Sequence, residues 1–542
     1  MNEDIKWAIL FISVTIIFLI FAKIVNYNST VNYIKAKWGK KPSTDRIKES
    51  HENYLKEMFN DLVLFFGNKE IIDNYTYNDL DLYKIFINMD STFSNIGSSI
   101  LYHRIRTLDK NQKDQEEFEK IQQYFLENEY ERNRVSYFLF TLGKNKEINI
   151  FKYIKNLRSN QYEILLYLVM GLVPILSFIL FITNIFQVAI TFILPSIAIN
   201  LGYTYYRKNK YEKDYDCSNQ LTNLIKVAYK LNKINLPNKE KIKENLLGIK
   251  IIRFMSYLSI ADSQETGSLA IILFNSTFMV PFIMNSLITM YVSRNKEKIF
   301  NLAKNIGDVD SAIAIANYKL YNKNLCDVEF IDEYKIEAKG IYHPLIKDPV
   351  KNDVEWEKNI LITGSNASGK STYVKSLAIS TIFSQTIYLA LADEFKLKKA
   401  KVYSSMAIKD DVESGESYFI AEIRSLKRII DDIENGNNSY YFIDEILKGT
   451  NTQERIAASY SIIKYFIEKE ILSFVATHDL ELIKMFDDKI KNVHFREHFT
   501  ENGEIAFDYK LYEGASNTKN AIKLLENFKF PQEIIECANM TL

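Results

Sequence analysis

Three long stretches of the chain carry no charged residue: Trp7–Ala22, Ile164–Tyr206 and Ser268–Val292. The first is rich in Ile, Phe and Leu and is bracketed by Lys6 and Lys23. About 20 apolar residues cross a bilayer, so this run spans one if the two lysines snorkel. A cleaved signal peptide is the competing reading. Lys23-Ile24-Val25 offers no small-residue cleavage site, and Glu3 and Asp4 precede the run, which disfavours it. The second stretch is too long for one span. Thr183-Asn184 lies near its middle, and a turn there predicts a hairpin of two helices, about 164–182 and 185–205. The third contains Asn275, Ser276, Thr277, Pro281, Asn285 and Ser286, and reads as a buried or membrane-apposed helix.

Between these stretches, residues 26–160 and 207–335 show helical periodicity. Phe118, Ile121, Tyr124 and Phe125 recur at helical spacing, a core stripe rather than a ligand site. From about residue 340 the pattern changes. Asn359–Thr363, Ser439–Ile443 and Ile471–Ala476 are short runs suited to buried strands. The expected fold is an α/β P-loop NTPase domain at the C-terminus, preceded by an all-α region with transmembrane helices. The expected divisions are a transmembrane helix (1–25), a cytosolic helical region (26–160), a transmembrane hairpin (161–206), a helical lever-like region (207–340) and the ATPase domain with C-terminal dimerisation helices (341–542).

Charge adds orientation. Lys23, Lys35, Lys37, Lys40, Lys41 and Arg46 follow the first apolar run; Lys152, Lys155 and Arg158 precede the hairpin; Arg207, Lys208 and Lys210 follow it. The positive-inside rule sets all three clusters, and the ATPase domain, on the cytoplasmic side of a multi-pass cell-membrane protein. Lys plus Arg and Asp plus Glu are 68 each, which argues against a protein built mainly to coat nucleic acid. Cys217, Cys326 and Cys537 show no paired spacing, so neither a disulfide framework nor a zinc site is expected.

The strand Asn359–Thr363 leads into Gly364-Ser365-Asn366-Ala367-Ser368-Gly369-Lys370-Ser371, and a helix follows from Thr372. This is strand, GxxxxGKS, helix. The glycines let backbone amides approach phosphates, Lys370 reaches the β- and γ-phosphates, and Ser371 coordinates Mg²⁺. Asp444 and Glu445 end the apolar strand that starts at Ser439, the expected place for a second Mg²⁺ carboxylate (Asp444) and a general base (Glu445). His478 follows the strand Ile471–Ala476, where it can sense a γ-phosphate. His494 and His498 stand four apart beside an Asn502-Gly503 turn; on a strand their rings lie about 13 Å apart, so they are not read as metal ligands.

Together these segments resemble the MutS family of ATPases. Thr363–Tyr373 is similar to the family's TGxNxxGKST-aromatic loop. Asp410-Asp411, then Ser414–Phe419 and Glu422, resemble its DD-x3-GxSxF-x2-E segment. Asp444–Thr452 resembles DE-x2-RGT-x-T, with Lys448 where Arg is usual, and Ala476-Thr477-His478 resembles ATH. Glu513–Ser516 and Phe530–Ile535 resemble the closing strand and helical tail, and Ile96–Thr107 the start of the helical lever. The resemblance implies ATP and Mg²⁺ as cofactors and a homodimer with composite sites. Ser417, with Gly415 beside it, would reach the γ-phosphate across the interface, with Asn451 and Thr452 along it. It also implies DNA, mismatched or otherwise structured, as a partner of the moving arms. The chain departs from the family in lacking a Phe-x-Glu wedge in a suitable context. The alternative is an ABC-like ATPase energising membrane transport or assembly; the missing LSGGQ-type signature and the segment Gly449–Thr452 count against it.

Overall fold

The computed structural model describes residues 3–43, 49–67, 70–108, 111–144, 148–183, 185–210, 212–252, 255, 269–365, 368–406, 418–448, 450–486, 489–500, 505–515, 528 and 530–541. They form two compact units. One comprises Met1–Asn68, Asn88–His103 and Gln112–Tyr321; the other comprises Lys69–Ile87, Arg104–Asn111 and Asn322–Leu542.

The first unit is helical. Its central helix, Lys296–Tyr321, is buried along most of its length from Ile299 to Tyr318. Of the stripe on helix Gln112–Glu127, Phe118, Ile121 and Phe125 are buried core, whereas Tyr124 is only half-buried. Helix Asn95–Ile105 packs unusually close to the central helix. A Cβ on Gly97 would lie 2.1 Å from Asp310 Oδ2, and one on Gly307 would lie 2.4 Å from Ile100 Cγ1. The buried Asp310 accepts from Phe93 N and Ser94 N, both at 2.9 Å, and from Ser94 Oγ at 2.6 Å, so it caps the start of the shorter helix from across the contact. Gly97→Ala is expected to destabilise this unit by about 1–3 kcal/mol through overpacking. Thermal unfolding followed by circular dichroism measures it, and an unchanged midpoint contradicts the close approach.

The second uncharged stretch folds as the helices Gln161–Ile182 and Phe186–Lys210, turning at Thr183. The N-terminal helix is longer than the apolar run and continues from Glu3 to Lys37. By length and composition, Ser13–Lys37 and Gln161–Ile182 are each sufficient to cross a membrane. The third stretch differs from the single helix expected. It forms two, Leu269–Thr277 and Val280–Arg294, broken at Met279 with φ of 54°. Pro281 in the first turn of the second helix explains the restart, since proline is favoured at that position. Asn200 Nδ2 donates to Met170 O at 2.9 Å and to Thr277 O at 2.7 Å, so a side chain from the hairpin satisfies backbone at the break.

The second unit is α/β. Strands begin earlier than residue 340: β3 (Cys326–Phe330) and β4 (Ile336–Ile341) follow β1 (Glu70–Ile71) and β2 (Thr107–Leu108). Cys-Asp-Val-Glu-Phe alternates polar and apolar, a period of two that five residues hardly distinguish from a helix turn. β1 and β2 pair only with each other, whereas β3 and β4 join β5 (Asn352–Trp356), β7 (Leu389–Ala390) and β8 (Glu394–Leu397) in a five-stranded sheet of order β5-β4-β8-β3-β7, which leaves out β6 (Ile360–Thr363). β6 instead joins β9 (Lys401–Ser405), β10 (Ser439–Asp444), β11 (Ser473–Ala476), β12 (Lys491–Phe499) and β13 (Ile505–Glu513) in a six-stranded sheet of order β13-β12-β6-β11-β10-β9. All its neighbours are parallel except β12 and β13. Trp356 is fully buried among the rings of Tyr440, Phe442 and Phe474 on one face. On the other, helices Tyr418–Glu434 and Thr452–Glu468 bring Ile429, Ile433, Ile463 and Phe466 onto Tyr441 and Ile443.

Residues 69–87 and 104–111 group with this unit rather than with the surrounding helical region of 26–160. Polar contacts explain it. In the short helix Asn74–Asp79, Thr76 Oγ1 accepts from Ser404 N (3.1 Å), and Asp79 Oδ2 accepts from Ser404 Oγ (2.7 Å) and Met406 N (3.0 Å). Arg428 donates to Asp73 and to Ser404 O.

Candidate nucleotide site

Sheet order brings the site together. In open parallel sheets ligands bind beyond the carboxyl ends of the strands. β6 runs into the glycine-rich loop, β10 ends in Asp444-Glu445, and β11, which lies between them, runs into Thr477-His478. Asp444, Ala476 and Ile362 are level across the three strands. Segments separated by more than a hundred residues therefore converge at one edge.

The loop needs its glycines. Gly364 has φ of 140° and Gly369 has φ of 101°, conformations that favour glycine. A Cβ on Gly364 would lie 2.8 Å from both Phe495 O and Ser368 Oγ. Ser368 Oγ donates to Ser365 O at 2.7 Å, and Tyr373 N donates to Gly369 O at 2.9 Å to start helix Lys370–Thr386. Lys370 is 2% exposed, and its Nζ donates to Gly364 O and meets His478 Nδ1 at 3.0 Å. Ser371 and Thr372 follow in the first turn and are half-buried. Asn366 and Ala367 lie outside the described residues, as do Gly415 and Ser417.

From Lys370 a polar line runs across the edge. His478 Nε2 lies 2.5 Å from Glu445 Oε1, and Lys448 Nζ lies 2.9 Å from Glu445 Oε2. Burial raises the Glu445 carboxyl, but hydrogen bonds from His478 and Lys448 and their charges outweigh it and bring the group down to about 2. Glu445 and Leu447 have φ of 66° and 53°, so two non-glycine residues in left-handed conformation turn the chain sharply off β10. Glu445 N donates to Ala476 O at 2.9 Å and holds that turn to β11. Asp444 Oδ1 is buried without a hydrogen-bond partner. A bare carboxylate oxygen beside a phosphate-loop lysine fits a divalent cation, with Ser371 as the second protein oxygen.

Burial of the Lys370 ammonium pushes it down to about 8, opposed by the Glu445 and Asp444 charges. Below about pH 8 the ammonium is present and attracts phosphates; above it the charge is lost from the free site. ATP affinity is therefore expected to be flat below pH 8 and to weaken up to tenfold per unit above it. Calorimetric titrations across pH 7–10 check this, and pH-independent affinity contradicts it.

Several supporting groups were not apparent from sequence. Asp479 is held by Arg455, with Nε to Oδ2 at 2.9 Å and Nη2 to Oδ1 at 2.6 Å, and this fork fixes the loop that carries His478. Ser365 Oγ donates to Glu497 at 2.6 Å, where a bulge between Phe495 and Glu497 re-aims β12. Glu422 accepts from Lys448 N at 3.0 Å and ties helix Tyr418–Glu434 to the turn after Glu445. Tyr509, half-exposed with φ of 54°, brings its ring to 3.2 Å from a Cβ built on Gly369. Asn451 caps helix Thr452–Glu468, accepting from Glu454 N at 2.9 Å. His494 and His498 lie on β12, opposite Tyr512 and Ala506 of β13.

Residues 360–542 match the family model for MutS domain V, the ATPase-containing α/β region of that family. The chain is 31% identical over 225 residues to MutS protein homolog 4 of Homo sapiens, covering 38% of this chain and 24% of that protein. It is 29% identical over 258 residues to DNA mismatch repair protein MutS of Geobacillus sp. (strain WCH70), covering 45% of this chain and 30% of that protein. A similar match, 28% over 253 residues, links it to DNA mismatch repair protein MutS of Persephonella marina, covering 45% of this chain and 29% of that protein. The matched stretch thus spans less than a third of these relatives' length. The family match opens on the first residue of β6 and runs through every strand end that meets at the site, so it is the C-terminal region of the chain that is similar to this domain of the MutS family.

Proposed function

We propose that this protein is a membrane-anchored ATPase of mismatch-repair type, in which ATP binding and hydrolysis at a dimer's composite sites move helical arms that clamp DNA. The observation that carries the catalytic part is the line Lys370–His478–Glu445 across three strand ends, with the unpartnered Asp444 oxygen beside it. When bound, Mg²⁺ would neutralise phosphate charge and orient the leaving group. Loop amides and Lys370 would hold the phosphates, and Ser371 and Asp444 would hold the cation. Glu445 takes a proton from the attacking water, and His478 bridges that carboxylate to Lys370. Gly415 and Ser417 of a second copy complete the site by family resemblance.

Anchoring is supported by the apolar faces that the helices leave exposed, among them Phe18 and Phe21 on the first and Leu165, Leu176, Ile179 and Ile182 on the hairpin. Irregular backbone at membrane depth is tolerated where protein covers it, which suits the carbonyls that Asn200 satisfies at the helix break. The clusters of lysine and arginine after the first segment and at both ends of the hairpin fall on one side, which favours a cytoplasmic ATPase.

Fluorescence anisotropy of a labelled mismatched duplex, with and without ATP, tests the clamp. The expected result is binding at low salt that falls steeply as salt rises and changes with ATP. No binding at low salt removes DNA from this reading and leaves the ATPase standing.

A further inference from the structure

The helical unit contains a cavity, remote in sequence from the nucleotide loop, of about 530 Å³. That volume lies in the range of small-molecule sites, about 300–1,000 Å³. Its walls come from the end of helix Glu3–Lys37 and the turn after it, from residues 90–93, from helix Glu129–Phe140 and from the central helix Lys296–Tyr321.

The turn is held in place. Gly39 N donates to Asn317 Oδ1 at 2.6 Å, and Asn317 Nδ2 donates to Lys40 O at 3.2 Å. This presents Lys37, Lys40 and Lys41 at the rim, all three exposed, and none has a carboxylate within 4 Å among the described residues. Deeper in, Arg132 is 6% exposed. Its guanidinium stacks 4.0 Å over the Trp38 ring and donates one hydrogen bond, to Phe125 O at 2.9 Å. Arg132 Nε, Asn133 Oδ1, Ser136 Oγ and Ser91 Oγ are buried without hydrogen-bond partners. The cavity's carboxylate, Asp90, is already satisfied by Lys144 at 2.8 Å, Ser98 Oγ at 2.8 Å and Thr92. Among the described residues, four cations therefore surround one cavity with no carboxylate ion-paired to any of them, and the buried one, Arg132, feels only the more distant charge of Glu129. Buried charges in folded proteins are ordinarily paired, because desolvation without a partner is unfavourable.

Four aromatic rings, Tyr33, Trp38, Phe93 and Phe140, contribute to the lining together with Ile34, Pro42 and Ile313. Cationic groups over an aromatic wall suit an anion with an apolar or planar body. We propose that this cavity binds a phosphate ester, with Lys37, Lys40, Lys41 and Arg132 meeting the phosphate and the rings of Trp38 and Phe140 packing on its organic part. Helix Glu3–Lys37 carries the apolar run that ends at Ala22, and Tyr33 lies eleven residues on, roughly 16 Å along the axis. Both a lipid headgroup and a soluble phosphate ester can supply the group at that position.

Isothermal titration of the full chain in detergent distinguishes the sources, with dihexanoyl phosphatidic acid in one arm and ribose 5-phosphate in the other. Dihexanoyl phosphatidylcholine is the control for micelle partitioning. Saturable binding of the first alone identifies a lipid; saturable binding of both identifies a soluble ester. In either case Lys40→Gln with Lys41→Gln, two exposed positions whose replacement leaves the fold intact, should weaken affinity at least tenfold at low salt, and Arg132→Lys should weaken it further. The proposal is overturned if neither ester binds saturably, if the choline lipid binds as well as phosphatidic acid, or if the double substitution leaves affinity unchanged.

Discussion

Glu445→Gln is expected to lower ATP turnover by about 10²–10⁴-fold while ATP still binds, the range ascribed to a positioned general base. The substitution keeps the shape and one acceptor oxygen but removes the charge. The geometry makes the effect specific. Glu445 sits in a left-handed conformation at the end of β10, so its carboxylate is aimed by the turn rather than by a flexible loop. One oxygen faces His478 at 2.5 Å and the other faces Lys448 at 2.9 Å. Because the carboxyl is held near 2, it stays ionised from neutral pH down to mild acid, and any loss of rate between pH 5 and 7 must come from another group. Turnover and equilibrium binding measured on the same preparation check this. Turnover within threefold of the parent protein would show that the base lies elsewhere.

The second large effect concerns Lys370. Lys370→Met should weaken ATP binding by at least about 100-fold, because the ammonium is the one charged group inside the loop and acts in a site with little water, where charge interactions are strong. In the free site Lys370 donates to Gly364 O and contacts His478, so those groups fill its coordination until phosphates replace them. The methionine keeps the stem, so the buried stretch Tyr373–Thr386 should stay folded and the unfolding midpoint should move little. Fluorescent nucleotide titration gives the affinity, and retained affinity contradicts the assigned role.

Much of the site was legible in the sequence because its chemistry is local. Gly364, Gly369 and Lys370 are fixed by a strand–loop–helix junction, and Asp444-Glu445 and His478 each end a buried apolar run. The helical tendency of 26–160 and 207–321 was legible for the same reason, since amphipathic periodicity is written into neighbouring residues. What was not legible depends on tertiary pairing. No spacing connects Ser365 with Glu497, or Arg455 with Asp479, because the sheet order that joins them is set by packing. The same holds for Thr76 and Asp79, which lie more than three hundred residues before the strand end they cap. The break at Met279 had a local signal in Pro281, but the apolar run on both sides masked it.

Phosphate release from MgATP by the purified full chain tests the central claim most directly. The site as described predicts release that scales with protein concentration, stops when EDTA removes Mg²⁺, and saturates with ATP. Nucleotide binding without Mg²⁺-dependent release would contradict it.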